Sequence, residues 1–320
     1  MVLSYHLIAR YQRTHQLSDL NEAVSTTSEA LHLCPKGHER RRFALEGFAI
    51  PLTIRFDVTK DPSDVERAVQ CYRELFDLQP PGHPTRLAFL APLTRALKLR
   101  AERTSTVGHW REYLVYQRQH LALLPSGDPK RASHELGLSR SLKTLHDYTA
   151  RIELIDEVIG YHREDLRRHS ATNGNRFTAV FELAAALQAR YASHGDPKDL
   201  SEAVFHNREA LGLAESTPDR IRCLNNLGVV LNMRFRITAE SGDVEEALKC
   251  YRKAINTCPP GLPFRSFSQT NLAIALGDQY KRMDTDTIDD VVLTCRYAVI
   301  ATQIGHQSLP YALNNLANAL

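Results

Sequence analysis

A period of 44 to 45 residues runs through all 320 residues of the chain and limits what it can fold into. Ala247, in the phrase GDVEEAL, has counterparts at Ala23, Ala68, Tyr113, Val158, Ala203 and Val291. Two further markers keep the same register. One runs Pro35, Pro80, Pro125, Ser170, Glu215, Pro259, Gln303, and the other Phe48, Leu93, Leu138, Leu183, Leu227, Leu272, Leu316. Periods of this size mean stacked repeats in which each unit touches only its neighbours. Length alone would predict two domains. The period predicts instead a single array over 1–320 with partial repeats at both ends.

Each repeat reads as two helices. The first carries an i, i+4, i+8 apolar stripe, as in Leu227, Leu231, Phe235 or Leu183, Leu187, Tyr191, which places those side chains on one helical face. A small residue within the stripe, Gly228, Ala184, Ala273 or Ala317, leaves room for a neighbouring helix to approach. The second helix is expected to open on a capping box, Asp19 with Glu22, Asp199 with Glu202, Asp243 with Glu246. It closes at a Pro and Gly turn such as CPKG or CPPG. Pro51 and Pro92 fall inside first helices, where a kink is expected. The least regular stretch should be the middle. There Trp110 and Tyr113 replace Leu and Ala, Arg167, Arg168 and His169 replace an apolar helix end, and the turn SATNGN has no proline.

The phrases LNNLG and NLANAL in one helix, followed by EALKCYRKAINTCP or EAVFHNREALGL in the next, resemble the tetratricopeptide repeat. Leu227, Gly228 and Leu231 match its first-helix signature, and Ala247, Tyr251, Ala254 and Pro259 its second. The resemblance implies an all-α solenoid, a right-handed superhelix of antiparallel helix pairs whose first helices line a concave groove. The long period, with GDxxDLxEA, HNREAL and PPGHPxR, further resembles arrays of mushroom-forming fungi that often accompany a caspase-like peptidase domain of the CHAT type or a nucleotide-binding switch domain. By that resemblance the chain is a non-catalytic scaffold for a peptide or partner domain, or else the sensor or autoinhibitory arm of a larger signalling protein.

The residues offer little chemistry of their own. The sequence has no GxxxxGK[ST], GxSxG or HExxH motif and no Cys and His spacing of ligand type, so neither an enzyme, a cofactor nor a metal is expected. The histidines His38, His83 and His306 follow the turn glycine and read as exposed turn residues. Six cysteines without a CxxC pair read as reduced core thiols. A net charge of +3 is too mild to imply nucleic acid, and no apolar run reaches membrane-spanning length, so a soluble, cytoplasmic protein is expected.

Arginine forms two columns. Arg73, Arg118, Arg163, Arg208, Arg252 and Arg296 share one place in the second helix. Arg41, Arg86, Arg131, Arg176, Arg220 and Arg265 share one near the start of the first, where a cation opposes the helix dipole and calls for a partner. Even spacing favours salt bridges between repeats over a ligand track. The candidate partner-binding residues lie just off the leucine stripe: Arg95 and Lys98, then Arg140 and Lys143 one period later, with no acidic residue at the equivalent places of those two copies. The i, i+3 spacing puts each pair on one face. Asn225, Asn232 and Asn314 are further candidates for holding an extended backbone. The expected partner is a protein or peptide of acidic character.

At both ends the pattern stops partway along a helix, as if the sequence were a fragment. Val2, Leu3, Leu7 and Tyr11, and Tyr311, Leu313, Leu316 and Leu320, are expected to expose apolar surface that favours self-association.

Overall fold

The computed structural model describes residues 2–80, 83, 86–125, 128, 130–168, 174–259, 263–283, 288–301 and 313. Among the described residues the regular elements are all α-helices, gathered in two compact units, Met1–Thr149 and Ala150–Leu320. The first unit holds α1 (Val2–Thr14), α2 (Leu17–His32), α3 (Arg41–Thr59), α4 (Pro62–Asp77), α5 (Arg86–Thr104), α6 (Val107–Leu123) and α7 (Arg131–Thr149). The second holds α8 (Ile152–Arg168), α9 (Gly174–His194), α10 (Pro197–Leu213), α11 (Thr217–Thr238), α12 (Ser241–Thr257), α13 (Pro263–Met283) and α14 (Ile288–Ala301). Within each unit every helix packs on the next along the chain. The division between units falls in the middle stretch where the repeat pattern is weakest.

The stripe residues form the core as the spacing predicts. Phe48, Leu52, Phe56, Leu93, Leu97, Leu138, Leu142, Leu183, Leu187, Leu227, Leu231 and Phe235 are all buried. Gly228 is small for a specific reason: a Cβ there would lie 2.6 Å from Cε1 of Tyr251, itself fully buried on α12. Pro51 and Pro92 lie inside α3 and α5, and both helices continue through them.

Among the described residues, the first helix of a repeat ends the same way in α1, α3, α5, α7, α9 and α11. His15, Lys60, Ser105, Ala150, Gly195 and Ala239 all have positive φ, between 50° and 76°, and they recur at the repeat period. Where it is described, the amide of this residue donates to the carbonyl four residues back, as from Lys60 to Phe56 at 2.9 Å and from Ala239 to Phe235 at 2.8 Å. This is the left-handed cap that closes a helix. Only Gly195 is the residue type that prefers it. One further residue then leads into the second helix, and at that place Asp61 and Asp196 cap α4 and α10 by accepting from Ser63 N and Lys198 N, each at 3.0 Å.

That geometry corrects the capping-box assignment. Asp19, Asp199 and Asp243 are each the third residue of their helix, not its cap, and their carboxylates are buried. They accept from the guanidinium nine residues earlier, at the end of the first helix. Arg10 reaches Asp19 at 2.6 Å. Arg190 grips Asp199 at 3.0 and 2.6 Å, and Arg234 grips Asp243 at 2.7 and 2.6 Å. Arg55 and Asp64 form the same bidentate pair at 2.8 and 2.6 Å. A planar fork on a carboxylate fixes direction as well as distance, so each pair staples the two helices of its hairpin. In α7 and α8 the two positions are Leu145 and Leu154, so the ionic pair has no counterpart there.

The terminal expectation also changes. Val2 and Leu3 are exposed, but Leu7 is buried and Tyr11 is half-buried, because α2 and α3 already cover that side of α1. Leu313 is half-exposed, and Tyr311, Leu316 and Leu320 lie outside the described residues.

Candidate functional site

Within the two arginine columns, the contacts described join neighbouring helices. In the second-helix column Arg73 pairs with Glu112, Arg163 with Glu202 at 2.8 Å, and Arg208 with Glu246 at 2.6 Å, each one repeat further on. In the other column the guanidinium turns back to the end of the preceding helix. Arg41 donates to Cys34 O at 2.7 Å, Arg86 to Gln79 O at 2.6 Å, Arg131 to Leu124 O at 2.9 Å, Arg220 to Ala214 O at 3.1 Å and Arg265 to Cys258 O at 2.9 Å. A cation at the start of one helix therefore neutralises the carbonyl end of another, where the dipole favours it. Arg41 also pairs with Glu74, and that guanidinium holds the Glu74 carboxyl below the usual carboxylate range.

With those arginines spent, the cations of α5 and α7 stand apart. A cavity of about 420 Å³ opens between α5, α6 and α7. Arg95, Lys98 and Arg140 line it, together with Tyr113, Gln117 and His120 of α6 and His134 of α7. Arg95 is 2.6 Å from Asp57, and Lys98 is 3.5 Å from Glu102. Lys143 lies outside the cavity wall and is 2.9 Å from Asp147. These are solvent-exposed pairs, worth about 0–1 kcal/mol each, so they orient the cations without committing them. Tyr113 stands at the place of Ala23, Ala68, Ala203 and Ala247, and its ring forms part of the wall.

The asparagines are placed differently. Asn225 and Asn232 belong to the second unit and are 2% and 5% exposed, so as they stand neither presents its amide to solvent. Asn225 donates to Ile221 O at 3.1 Å, and Asn232 to Asp278 at 2.8 Å. Asp278 also accepts from Arg236 at 2.7 Å. Asn232 is the register equivalent of Lys98 and Lys143, so that place is closed by a polar cluster in α11 and α13. Asn314 lies outside the described residues.

Sequence reasoning passed over His120 and His134. Their rings lie 4.2 Å apart, centroid to centroid, at 53°. His120 is 4% exposed, and burial with the neighbouring His134 ring holds its imidazolium down to about 4. Burial lowers His134 as well. Neither belongs to the turn column of His38 and His83, which are exposed as expected, and nothing in their spacing announces a pair.

A larger opening of about 860 Å³ lies beside Ser28, Arg41, Phe48 and Arg67. Ser28 occupies the place of the ladder arginines, so the space is what a missing side chain leaves, with Arg67 lying 4.6 Å over the Phe48 ring. Burial pushes the thiols of Cys71 up to about 12 and of Cys223 and Cys250 up to about 11, which suits inert core residues. Among the described residues no group of three or more His, Cys, Asp or Glu is placed to hold a metal ion, and no helix is long and apolar enough to cross a membrane.

Comparison with solved structures shows the fold class. The C-terminal part of a TPR repeat-containing protein from Cytophaga hutchinsonii is similar over 98% of this chain and 99% of its own, with 12% identity and a TM-score of 0.55. The chain thus has a tetratricopeptide-like, all-helical repeat fold. Nearly identical TPR-like repeats described as a kinesin light chain of Podospora anserina match 70% of this chain and 100% of theirs, at 21% identity and TM-score 0.47. The human IFIT1 dimer with PPP-AAAA matches 98% of this chain and 71% of its own, at 13% identity and TM-score 0.49. No family profile and no curated protein matches the chain.

Proposed function

We propose that the protein is a non-catalytic interaction scaffold, and that its partner is an acidic peptide or acidic surface segment held between α5 and α7. The observation that supports this most is the cavity itself: Arg95, Lys98 and Arg140, marked out in the sequence by register alone, share one opening in the folded chain. Lys143, one turn beyond Arg140, extends the cationic rim. Exposed ion pairs exchange readily for a ligand carboxylate, since each intramolecular pair is worth so little.

The test is anisotropy of a fluorescein-labelled hexaglutamate peptide. Binding should weaken by about tenfold or more as salt rises from 50 to 500 mM, because screening shortens to a few ångströms. The double substitution Arg95→Glu, Arg140→Glu should remove binding and leave helicity unchanged. Unchanged affinity in that variant would take the groove out of consideration.

The second reading, a sensor or autoinhibitory arm of a CHAT-type peptidase or nucleotide-binding protein, is supported by the GDxxDLxEA, HNREAL and PPGHPxR phrases alone. Sequencing the transcript past the codons for Met1 and Leu320 discriminates the two. An adjoining peptidase or nucleotide-binding domain favours the arm, and its absence the free scaffold.

A further inference from the structure

The cationic rim explains why an acidic group would approach the cavity, but not what lies at its back. There His120 of α6 is buried against His134 of α7, and Nδ1 of His120 has no hydrogen-bond partner. Gln117, one turn earlier and also buried, places Nε2 3.5 Å from both Nδ1 and the backbone oxygen of His134, the outer limit of a hydrogen bond. A buried polar atom without a partner is costly, and an incoming ligand atom relieves that cost.

The charges facing this pair come from every neighbouring element. Arg95 and Lys98 stand on α5. On α6, Glu112 is taken up by Arg73 and Arg100. On α7, Arg140 lines the cavity and Glu135 is bonded to Arg131 at 3.1 Å. In the α6–α7 turn Asp128 and Lys130 act on His134 in opposite senses. Asp57 and Glu102 meet Arg95 and Lys98 outside the wall, but the cavity lining itself carries Arg95, Lys98 and Arg140 and no carboxylate, so a metal ion is disfavoured and an anion is favoured.

We propose that this pocket receives one carboxylate side chain of the bound peptide against Gln117, His120 and His134, and that the imidazole pair takes up a proton from solvent as it does so. The inference rests on the acidic-peptide reading and adds the residues that hold the group and the linkage to pH. Its sign follows from the free state. Without ligand the pair is neutral at pH 7, because burial disfavours the imidazolium. A carboxylate in contact favours it, so the complex binds more protons than its parts and affinity rises as pH falls. The peptide carboxylates themselves stay ionised above about pH 5.5, which leaves pH 7.5 to 6.0 as the window.

The experiment is isothermal titration calorimetry on the full chain with an N-acetylated, C-amidated hexaglutamate peptide, at pH 6.0 in two buffers of different ionisation enthalpy and again at pH 7.5. The apparent enthalpies should differ by the heat of up to one proton, and affinity should be about three- to tenfold tighter per pH unit on going down. In the variant His120→Gln, His134→Gln the proton uptake should vanish, and affinity should no longer change between pH 7.5 and pH 6.0. Salt-sensitive binding with equal enthalpies and flat affinity would overturn the inference and leave the acidic-peptide reading standing. Proton uptake that survives in the variant would overturn the assignment to these histidines. No binding at either pH would take down both. The proton count on the unaltered protein decides even if the variant folds poorly.

Discussion

At the scale of single residues, exposure decides which ion pairs matter. Asp64 is fully buried and Arg55 largely so, whereas Arg208 and Glu246 are half in solvent. Asp64→Ala strands a desolvated guanidinium and should cost about 3 kcal/mol. Glu246→Ala should cost no more than about 1 kcal/mol. Chemical denaturation of the two variants checks the contrast, and equal losses would contradict it. The carboxyls of Asp19 and Glu74 lie below their ordinary ranges because Arg10 and Arg41 hydrogen-bond to them. Depressed folded-state values mean that their stabilisation is complete above about pH 5 and is lost as pH falls through 4 and below. Thermal melts at pH 6 and pH 3.5 should show that loss. Gly228 gives a steric test. Gly228→Ala should destabilise by about 1–2 kcal/mol, since overpacking against Tyr251 outweighs the gain in helix propensity. At Gly160, an exposed helical site with open space around a Cβ, the same change should stabilise by about 0.5–1 kcal/mol. Of these details the stripe and the small residue were legible in the sequence, because periodicity reports which face is buried. The Arg to Asp staple was also written there, as an arginine and an aspartate nine residues apart in each of four hairpins. It was misread because an acidic residue near a helix start looks like a cap whether it is the cap or the third residue.

At the scale of helices, the recurring device is the left-handed cap between the two arms of a hairpin. Non-glycine residues rarely adopt positive φ, and the cost falls hardest where the side chain offers nothing in return. Ala150 and Ala239 are such positions, at φ 50° and 56°. Ala150→Gly and Ala239→Gly should each stabilise by roughly 0.5–1 kcal/mol, the reverse of the usual glycine effect. A loss of stability in both would show that these linkers are not held in the left-handed region. The order of the described helices was legible from the period and from the Pro and Gly turns. The caps were not, because their sequence signal is a missing glycine in all copies except Gly195. The basic column at the start of the first helices was seen, but its partners were not foreseen. They are backbone carbonyls, and a backbone acceptor leaves no residue type to recognise.

At the scale of the whole molecule, the account joins a regular scaffold to one irregular place. Arginines such as Arg73, Arg163 and Arg208 join neighbouring repeats, and the described part of the second unit closes the equivalent position with Asn232, Asp278 and Arg236. Between α5 and α7 the cations instead surround a cavity backed by paired histidines. The rim was legible because Arg95 and Arg140 share one register position, with Lys98 and Lys143 three residues on, where the other copies carry no cation. The back wall was not, since His120 and His134 lie on different helices and meet only in the fold. Hydrogen–deuterium exchange of the full chain with and without the hexaglutamate peptide tests the central claim most directly. The account predicts slowed exchange confined to α5, α6 and α7, absent in the Arg95→Glu, Arg140→Glu protein. Protection centred on the second unit, or spread evenly over all repeats, would contradict it.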